Sequence, residues 1–270
     1  MTEMEKLTFD LPNEIIENDI NLDSFIIDPN IEVSEPIPIL SIMQNGYDIP
    51  IFTEENLSLI FGPAKSRKST LIKSICQAIL KGQNEKMKST YHRNNVTIID
   101  TEQDRFRCWK MTKVLKHLTG RNVDYYSMVG TKKEQKRLLV EKHLSENPDC
   151  GILILDNIVH FLRDFNSVDE SADLTEWLLS IKSTFNVHIL MILHENASGG
   201  VIKPRGHLGT NLMNLCETII KIQKNENNKD ESIISAFLTR GKDFDDFAIT
   251  MDYQGVPFLS ELQEYKKNKY

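Results

Sequence analysis

The stretch LSLIFGPAKSRKSTLIKSI, residues 57–75, constrains this chain more than any other. An unbroken apolar run leads into a glycine and a short basic segment. After it, Leu71, Ile72, Ile75 and Ile79 recur at the spacing of one helix face. A strand, a tight turn and a helix in immediate succession aim backbone N–H groups and a helix N-terminus at one point, which is a way to hold an anion. The residues fit the phosphate-loop pattern of glycine, four residues, glycine, lysine and a hydroxyl. Gly62 is the first glycine, and Pro63, Ala64, Lys65 and Ser66 span the loop. Lys68 is the lysine, and Ser69, followed by Thr70, supplies the hydroxyl. Arg67 stands where the second glycine belongs. Relaxed this far, the pattern turns up by chance in about one chain in ten of this length. The bland alternative is a glycine turn with solvated basic side chains. The strand before and the apolar-faced helix after weigh for a nucleotide site. Arginine just before Lys68 suits helical backbone and adds positive charge beside the phosphates, so a working cradle is expected.

The same alternation runs on through the chain. Apolar runs of strand length lie at 57–61, 96–99, 152–155 and 188–193, and helical spacing appears at 109–118, 135–144 and 174–185. Short continuous apolar strands separated by helices predict an α/β fold, a mostly parallel sheet with helices on both faces. The pattern changes near the end. Strands at 218–222, 233–238 and 247–251, joined by polar turns, predict a C-terminal antiparallel extension, with KNENNKD at 224–230 as an exposed hairpin loop. The first 36 residues hold ten acidic residues against one lysine, Lys6. Residues 1–37 therefore read as an acidic arm, flexible or packed on a neighbour, and 38–270 as the folded domain. The net charge of −7 gives no general attraction to nucleic acid, so any such contact must come from local basic loops. No apolar run approaches a membrane span and the start lacks an export signal, which predicts a cytoplasmic protein. Cys76, Cys108, Cys150 and Cys216 are scattered and read as reduced core thiols.

A phosphate cradle becomes a hydrolase with a magnesium partner and a group that orients water. GILILDN ends an apolar strand in Asp156, which with Ser69 would hold the metal. VTIIDTEQD offers Glu102 as the catalytic carboxylate, with Asp100 competing from nearer the strand interior. Their bland readings are an ordinary strand end and a solvated loop glutamate. His194 ends VHILMILHE, where a polar side chain can sense a terminal phosphate, although a lone histidine there is more often structural. The following ENASGGVIKPRGHLGTN is glycine-rich and locally basic. Gly199, Gly200, Lys203 and Arg205 are candidates for single-stranded DNA contact, against the alternative of a merely solvated loop. It has no aromatic on which bases would stack. Arg240 and Lys242, in FLTRGKDF, join Arg205 as candidates to reach a neighbour's phosphates in an oligomer.

In order and spacing, GPAKSRKS, IIDTEQ, ILILD, LHE, an RG and a late TRGKDF resemble the RecA-type ATPases. The likeness is greatest to the RepA-like hexameric helicases and the small stand-alone ATPases of phages and mobile elements, and it covers roughly residues 39–259. The resemblance implies a RecA-like core binding ATP and Mg2+ through Lys68, Ser69 and Asp156, with Glu102 catalytic alongside Lys68 and His194 as phosphate sensor. It implies a homo-oligomer, a hexameric ring or a filament, that handles single-stranded DNA as a helicase core or annealing ATPase and is loaded by a replication or recombination partner. It implies DNA-facing loops at 199–207 and 163–171. Arg67, the Leu193-His194 pair and the lack of an arginine near Leu215 and Cys216 depart from the pattern, so Arg205, Arg240 or Lys242 would have to substitute for that arginine. A nucleotide-dependent regulatory or scaffold module without translocation stays open beside the motor. A small-molecule kinase fits less well, lacking an arginine-rich lid.

Overall fold

The structure is a computed structural model and describes residues 26–195 and 203–262. The chain divides into a unit Met1–Glu35 and a unit Pro36–Tyr270. In the first, residues 26–35 carry one turn, in which the Asp28 carboxylate accepts the Asn30 backbone N–H at 2.9 Å. Residues 1–25 of the expected acidic arm lie outside the described residues.

The second unit runs β1 (Pro38–Gln44), β2 (Tyr47–Thr53), β3 (Leu57–Gly62), α1 (Lys68–Lys81), β4 (Met87–Lys88) and β5 (Asn95–Asp100). It continues with α2 (Arg105–Thr119), β6 (Asp124–Ser127), α3 (Lys133–Glu146), β7 (Cys150–Asp156), α4 (Val168–Phe185) and β8 (His188–His194). Last come α5 (Gly206–Leu215), β9 (Thr218–Lys224), β10 (Ser232–Thr239), β11 (Phe247–Met251) and β12 (Pro257–Glu261).

The continuous apolar runs become strands buried on both faces. β3 is buried along its whole length, and its side chains alternate between two cores. Leu57, Leu59 and Phe61 point into a core with α4 and α5, while Ile60 points into one with α1. β7 divides in the same way, Leu153 and Leu155 to one side and Ile152 and Ile154 to the other. The nine strands take the order β12-β11-β10-β9-β3-β8-β7-β5-β6. From β9 to β6 every pairing is parallel, and from β9 outward to β12 every pairing is antiparallel. The antiparallel extension is as expected, with one refinement. β9 belongs to both halves, parallel to β3 and antiparallel to β10.

A second sheet, β2-β1-β4, was not anticipated. Its hairpin turns at Asn45 and Gly46, both at positive φ (51° and 80°), the left-handed pair that a two-residue hairpin requires. The segment expected as a second DNA-facing loop is partly helical. Ser167 caps α4, and the Glu170 carboxylate accepts the N–H groups of Arg163 (2.6 Å) and Asp164 (3.1 Å), which folds 163–170 onto itself. All four cysteines are free and buried. Among the described residues no helix is long and apolar enough to cross a membrane.

Candidate nucleotide site

Parallel strands in register bring their C-terminal ends to one edge of the sheet, where open α/β sheets bind ligands. Gly62 pairs with His194 and Asp100 with Asp156, so these four tips share that edge. Gly62 is required by packing. A Cβ there would lie 2.0 Å from the Ile222 carbonyl oxygen of β9, so no side chain fits.

The loop after Gly62 enters α1 without a side-chain cap, unlike α2, where the Asp104 carboxylate accepts the Arg107 N–H, and α4, where the Ser167 hydroxyl accepts the Glu170 N–H. The backbone N–H groups of Lys65, Ser66, Arg67 and Lys68 donate to nothing among the described residues. An uncapped first turn with free N–H groups is a place for an anion. The expectation that Arg67 continues the helical backbone is corrected. It is left-handed (φ 72°, ψ 27°), as a glycine would be, and Lys65 also has positive φ (61°). A left-handed L-residue costs roughly 1–2 kcal/mol. The Arg67 guanidinium offsets that by tethering the loop to the β9–β10 hairpin, donating to Ser232 Oγ at 3.1 Å and to the Lys229 carbonyl at 3.0 Å.

A cavity of about 360 Å3 opens above the loop. Lys65, Ser66, Arg67, Lys68, Ser69 and Thr70 form its floor, and Glu102, Asp156 and His194 form one wall. Lys68 Nζ donates to the carbonyls of Pro63 (2.7 Å) and Gly62 (3.0 Å) and to His194 Nδ1 (3.2 Å). An ammonium only donates, so Nδ1 accepts and the imidazole proton sits on Nε2, which faces Glu102 Oε1 at 3.5 Å. Hydrogen bonding to His194 is the main reason the Glu102 carboxyl lies below its usual range, with Asn157 adding to it. Burial lowers the Lys68 ammonium, opposed by Asp156, Glu102 and Glu195.

The two acidic candidates at the tip of β5 separate cleanly. Asp100 is fully buried. Its carboxylate is spent on the N–H groups of Glu102 (2.9 Å) and Gln103 (2.8 Å), the Gln103 amide and the Tyr125 hydroxyl (2.6 Å). It shapes the turn, and Glu102 faces the cavity. Asp156 is different again: its carbonyl takes Thr101, but its carboxylate takes no donor among the described residues. Burial, with Asp100 and Glu102 nearby, pushes it up to about 7.

These groups suit a nucleotide phosphate with a divalent cation. Ser66 Oγ is buried beside the cavity with no partner among the described residues. A carboxylate and the Ser69 hydroxyl are hard oxygen donors of the kind magnesium takes. Gln103 and Met251 also line the cavity and escaped the sequence reading. Gln103 adjoins Glu102 in sequence, whereas nothing local to Met251, at the end of β11, marks it.

The remaining candidates lie elsewhere. Gly199 and Gly200 lie outside the described residues. The Arg205 N–H donates to the His194 carbonyl at 3.1 Å, and its guanidinium lies 4.2 Å over the Phe165 ring, so the loop returns to the strand end it left. Lys203 is half-buried beside it. Arg240 and Lys242 follow β10 at the opposite end of the sheet. Thr239 pairs with Thr218, which pairs with Ser58, four residues before Gly62 and about 13 Å away along the strand. They do not reach their own cradle. The Arg240 guanidinium donates to the Leu215 carbonyl at 2.9 Å. Lys242 Nζ lies 5.6 Å from the Tyr47 ring.

No family model matches the chain, and no curated protein matches its sequence. Among solved structures it is similar to a RadB recombinase, with a TM-score of 0.56 and 14% sequence identity, over 78% of this chain and 93% of that one. The parallel sheet, its flanking helices, the antiparallel C-terminal strands and this similarity together give the chain a RecA-like fold.

Proposed function

We propose that the protein binds ATP with Mg2+, hydrolyses it, and acts as a homo-oligomer on single-stranded DNA in replication or recombination. One observation carries the reading: Glu102, His194 and Lys68 form a single chain of polar contacts across the mouth of an uncapped helix. In this reading the loop N–H groups and Lys68 hold the phosphates, and Ser69 and Asp156 hold the cation, which neutralises phosphate charge. Glu102, ionised, takes a proton from the attacking water, and His194 releases Lys68 to a terminal phosphate and registers its loss. The base takes a neighbouring cavity of about 370 Å3 that shares Ser69, Gln103 and Met251 with the first and is walled by Arg107 and Tyr253. Arg240 acts on the next subunit's nucleotide, since it stands far from its own. The RadB recombinase likeness supports the DNA part by analogy only. The net charge of −7 favours a second reading, a nucleotide-dependent regulatory module that does not translocate.

ATP turnover by the purified chain with and without single-stranded DNA, beside Lys68→Ala, tests this. Lys68-dependent turnover that rises several-fold with DNA is expected. Turnover indifferent to DNA selects the regulatory module, and absence of both binding and turnover ends the ATPase reading.

A further inference from the structure

Helix α2 departs from the charge balance of the chain. Its 15 residues carry Arg105, Arg107, Lys110, Lys113 and Lys116 and no carboxylate, in a protein of net charge −7. Cys108, Met111 and Leu115 face the core. Arg107 pairs with Asp104 at 3.4 Å and, with Lys110, turns toward the cavity assigned above to the base. Arg105, Lys113 and Lys116 make no ion pair among the described residues.

The crest between these flanks is aromatic. Phe106 and Trp109, one helical turn apart, are 66% and 54% exposed, with ring centroids 5.7 Å apart and planes at 33°. Lys113 Nζ lies 5.8 Å from the centre of the indole. On the other flank, Arg105 and Trp109 line a cavity of about 540 Å3 with Tyr125 and Tyr126 of β6, the edge strand. Exposing two large aromatics is unfavourable for a free surface, and crowding unpaired cations beside them adds repulsion. Both costs are relieved by a ligand with negative charges and flat apolar groups in alternation. An acidic peptide meets the charges but leaves the ring faces uncovered. A duplex hides its bases.

We propose that the exposed face of α2 binds single-stranded nucleic acid, with phosphates on Arg105, Lys113 and Lys116 and bases stacked on Phe106 and Trp109. The inference takes from the proposed function only the class of ligand. It places that ligand on a surface separate from the loop after His194, and supplies the aromatic platform which that loop's sequence lacks.

The test is anisotropy of a labelled oligo-dT titrated with the full-length protein at several salt concentrations, with ATP turnover measured on the same samples to show that each variant is folded. Lys113→Glu with Lys116→Glu is expected to weaken binding at least ten-fold and to flatten the salt dependence by about 1–2 in log–log slope. Trp109→Ala is expected to weaken it about ten-fold with the slope unchanged. In a Trp177→Phe background the oligonucleotide is expected to quench Trp109 fluorescence. Wild-type affinity in both α2 variants, lost instead in Lys203→Ala with Arg205→Ala, overturns the inference and leaves the proposed function standing. No binding by the wild-type protein while ATP is turned over overturns both. Displacement of the oligonucleotide by polyglutamate at matched charge assigns the face to an acidic partner and also overturns it.

Discussion

The two ends of the large sheet each hold a carboxylate, Asp156 buried and Glu217 partly buried, pushed up to about 7, and they treat it in opposite ways. At the N-terminal end Glu217 accepts the Thr53 N–H and hydroxyl, both at 2.7 Å. His188, kept neutral by burial, stacks on Phe52 and donates through Nδ1 to the Thr53 carbonyl; its Nε2 and the Ser58 Oγ lack a partner among the described residues. That end is closed, and its polar groups lock the small sheet onto the large one. At the C-terminal end, among the described residues, Asp156 has no donor and Ser66 Oγ no partner, the first helix has no side-chain cap, and two loop residues are left-handed. Among the described residues each end leaves polar atoms unpaired, but Ser58 Oγ and His188 Nε2 are sealed in the closed end, whereas Ser66 and Asp156 line an open cavity. A buried group left unpaired costs roughly 1–3 kcal/mol, and one that faces an open cavity can regain that from a ligand, so the cavity end is arranged around something the chain itself does not provide.

The largest expected effect is at the open end. Lys68→Ala should lower ATP turnover by at least about a hundred-fold, since it removes the charge beside the phosphates and the partner of His194, while leaving the chemical denaturation midpoint nearly unchanged. A large loss of stability with retained turnover would reverse the assignment of the two ends. The converse substitution is Glu217→Ala, which strands the Thr53 donors and should cost about 2–4 kcal/mol in a denaturant titration with little change in ATP affinity.

Much of this contrast was legible in the sequence, and the exceptions have physical causes. The central strands announce themselves because parallel strands buried on both faces are continuously apolar, as in LSLIF and ILILD. The strand β2, YDIPIFT, mixes both characters and β6 spans only four residues, too short for any period to appear. Glu102 and Asp100 could not be ranked in the sequence, because their difference lies in backbone N–H groups that fold back on Asp100. Arg67 was misread because propensity describes the average arginine, and this one is held left-handed by contacts 162 and 165 residues away. Reading the helix from Trp109 onward hid the α2 crest. The helix starts at Arg105, which puts Phe106 and Trp109 side by side on its outer face.

Acid–base behaviour sharpens the comparison further. Asp156 and Glu217 both titrate higher in the folded chain than their ordinary values of 3.8 and 4.5. The folded state therefore holds protons on these two groups that the unfolded state has released, and their contribution to stability without nucleotide should fall as pH rises from about 4 through 7, opposed by His188, whose lowered value of about 4 acts with the opposite sign. Each group contributes at most about 1.4 kcal/mol per pH unit within that window. Asp156→Asn should remove one share of the slope and Glu217→Gln the other. Saturating Mg-ATP should reverse the slope only where Asp156 remains, because a cation favours the ionised carboxylate. Thermal melts across pH, with and without Mg-ATP, separate the ends.

The smallest expected effect falls on the loop itself. Arg67→Gly relieves the left-handed strain, a gain of roughly 1–2 kcal/mol, and discards two hydrogen bonds worth about 0.5–1.5 kcal/mol each. Those terms nearly cancel, so global stability should move by less than about 1 kcal/mol. What should change is the hairpin at 225–231, which the guanidinium ties to the cradle through Lys229 and Ser232. Faster amide exchange there, with unchanged exchange at Glu217 and Thr53, is the expected signature. If the hairpin stays as protected as before, the arginine serves the phosphates alone, and the open end is less tightly coupled to the antiparallel half of the sheet than the tether implies.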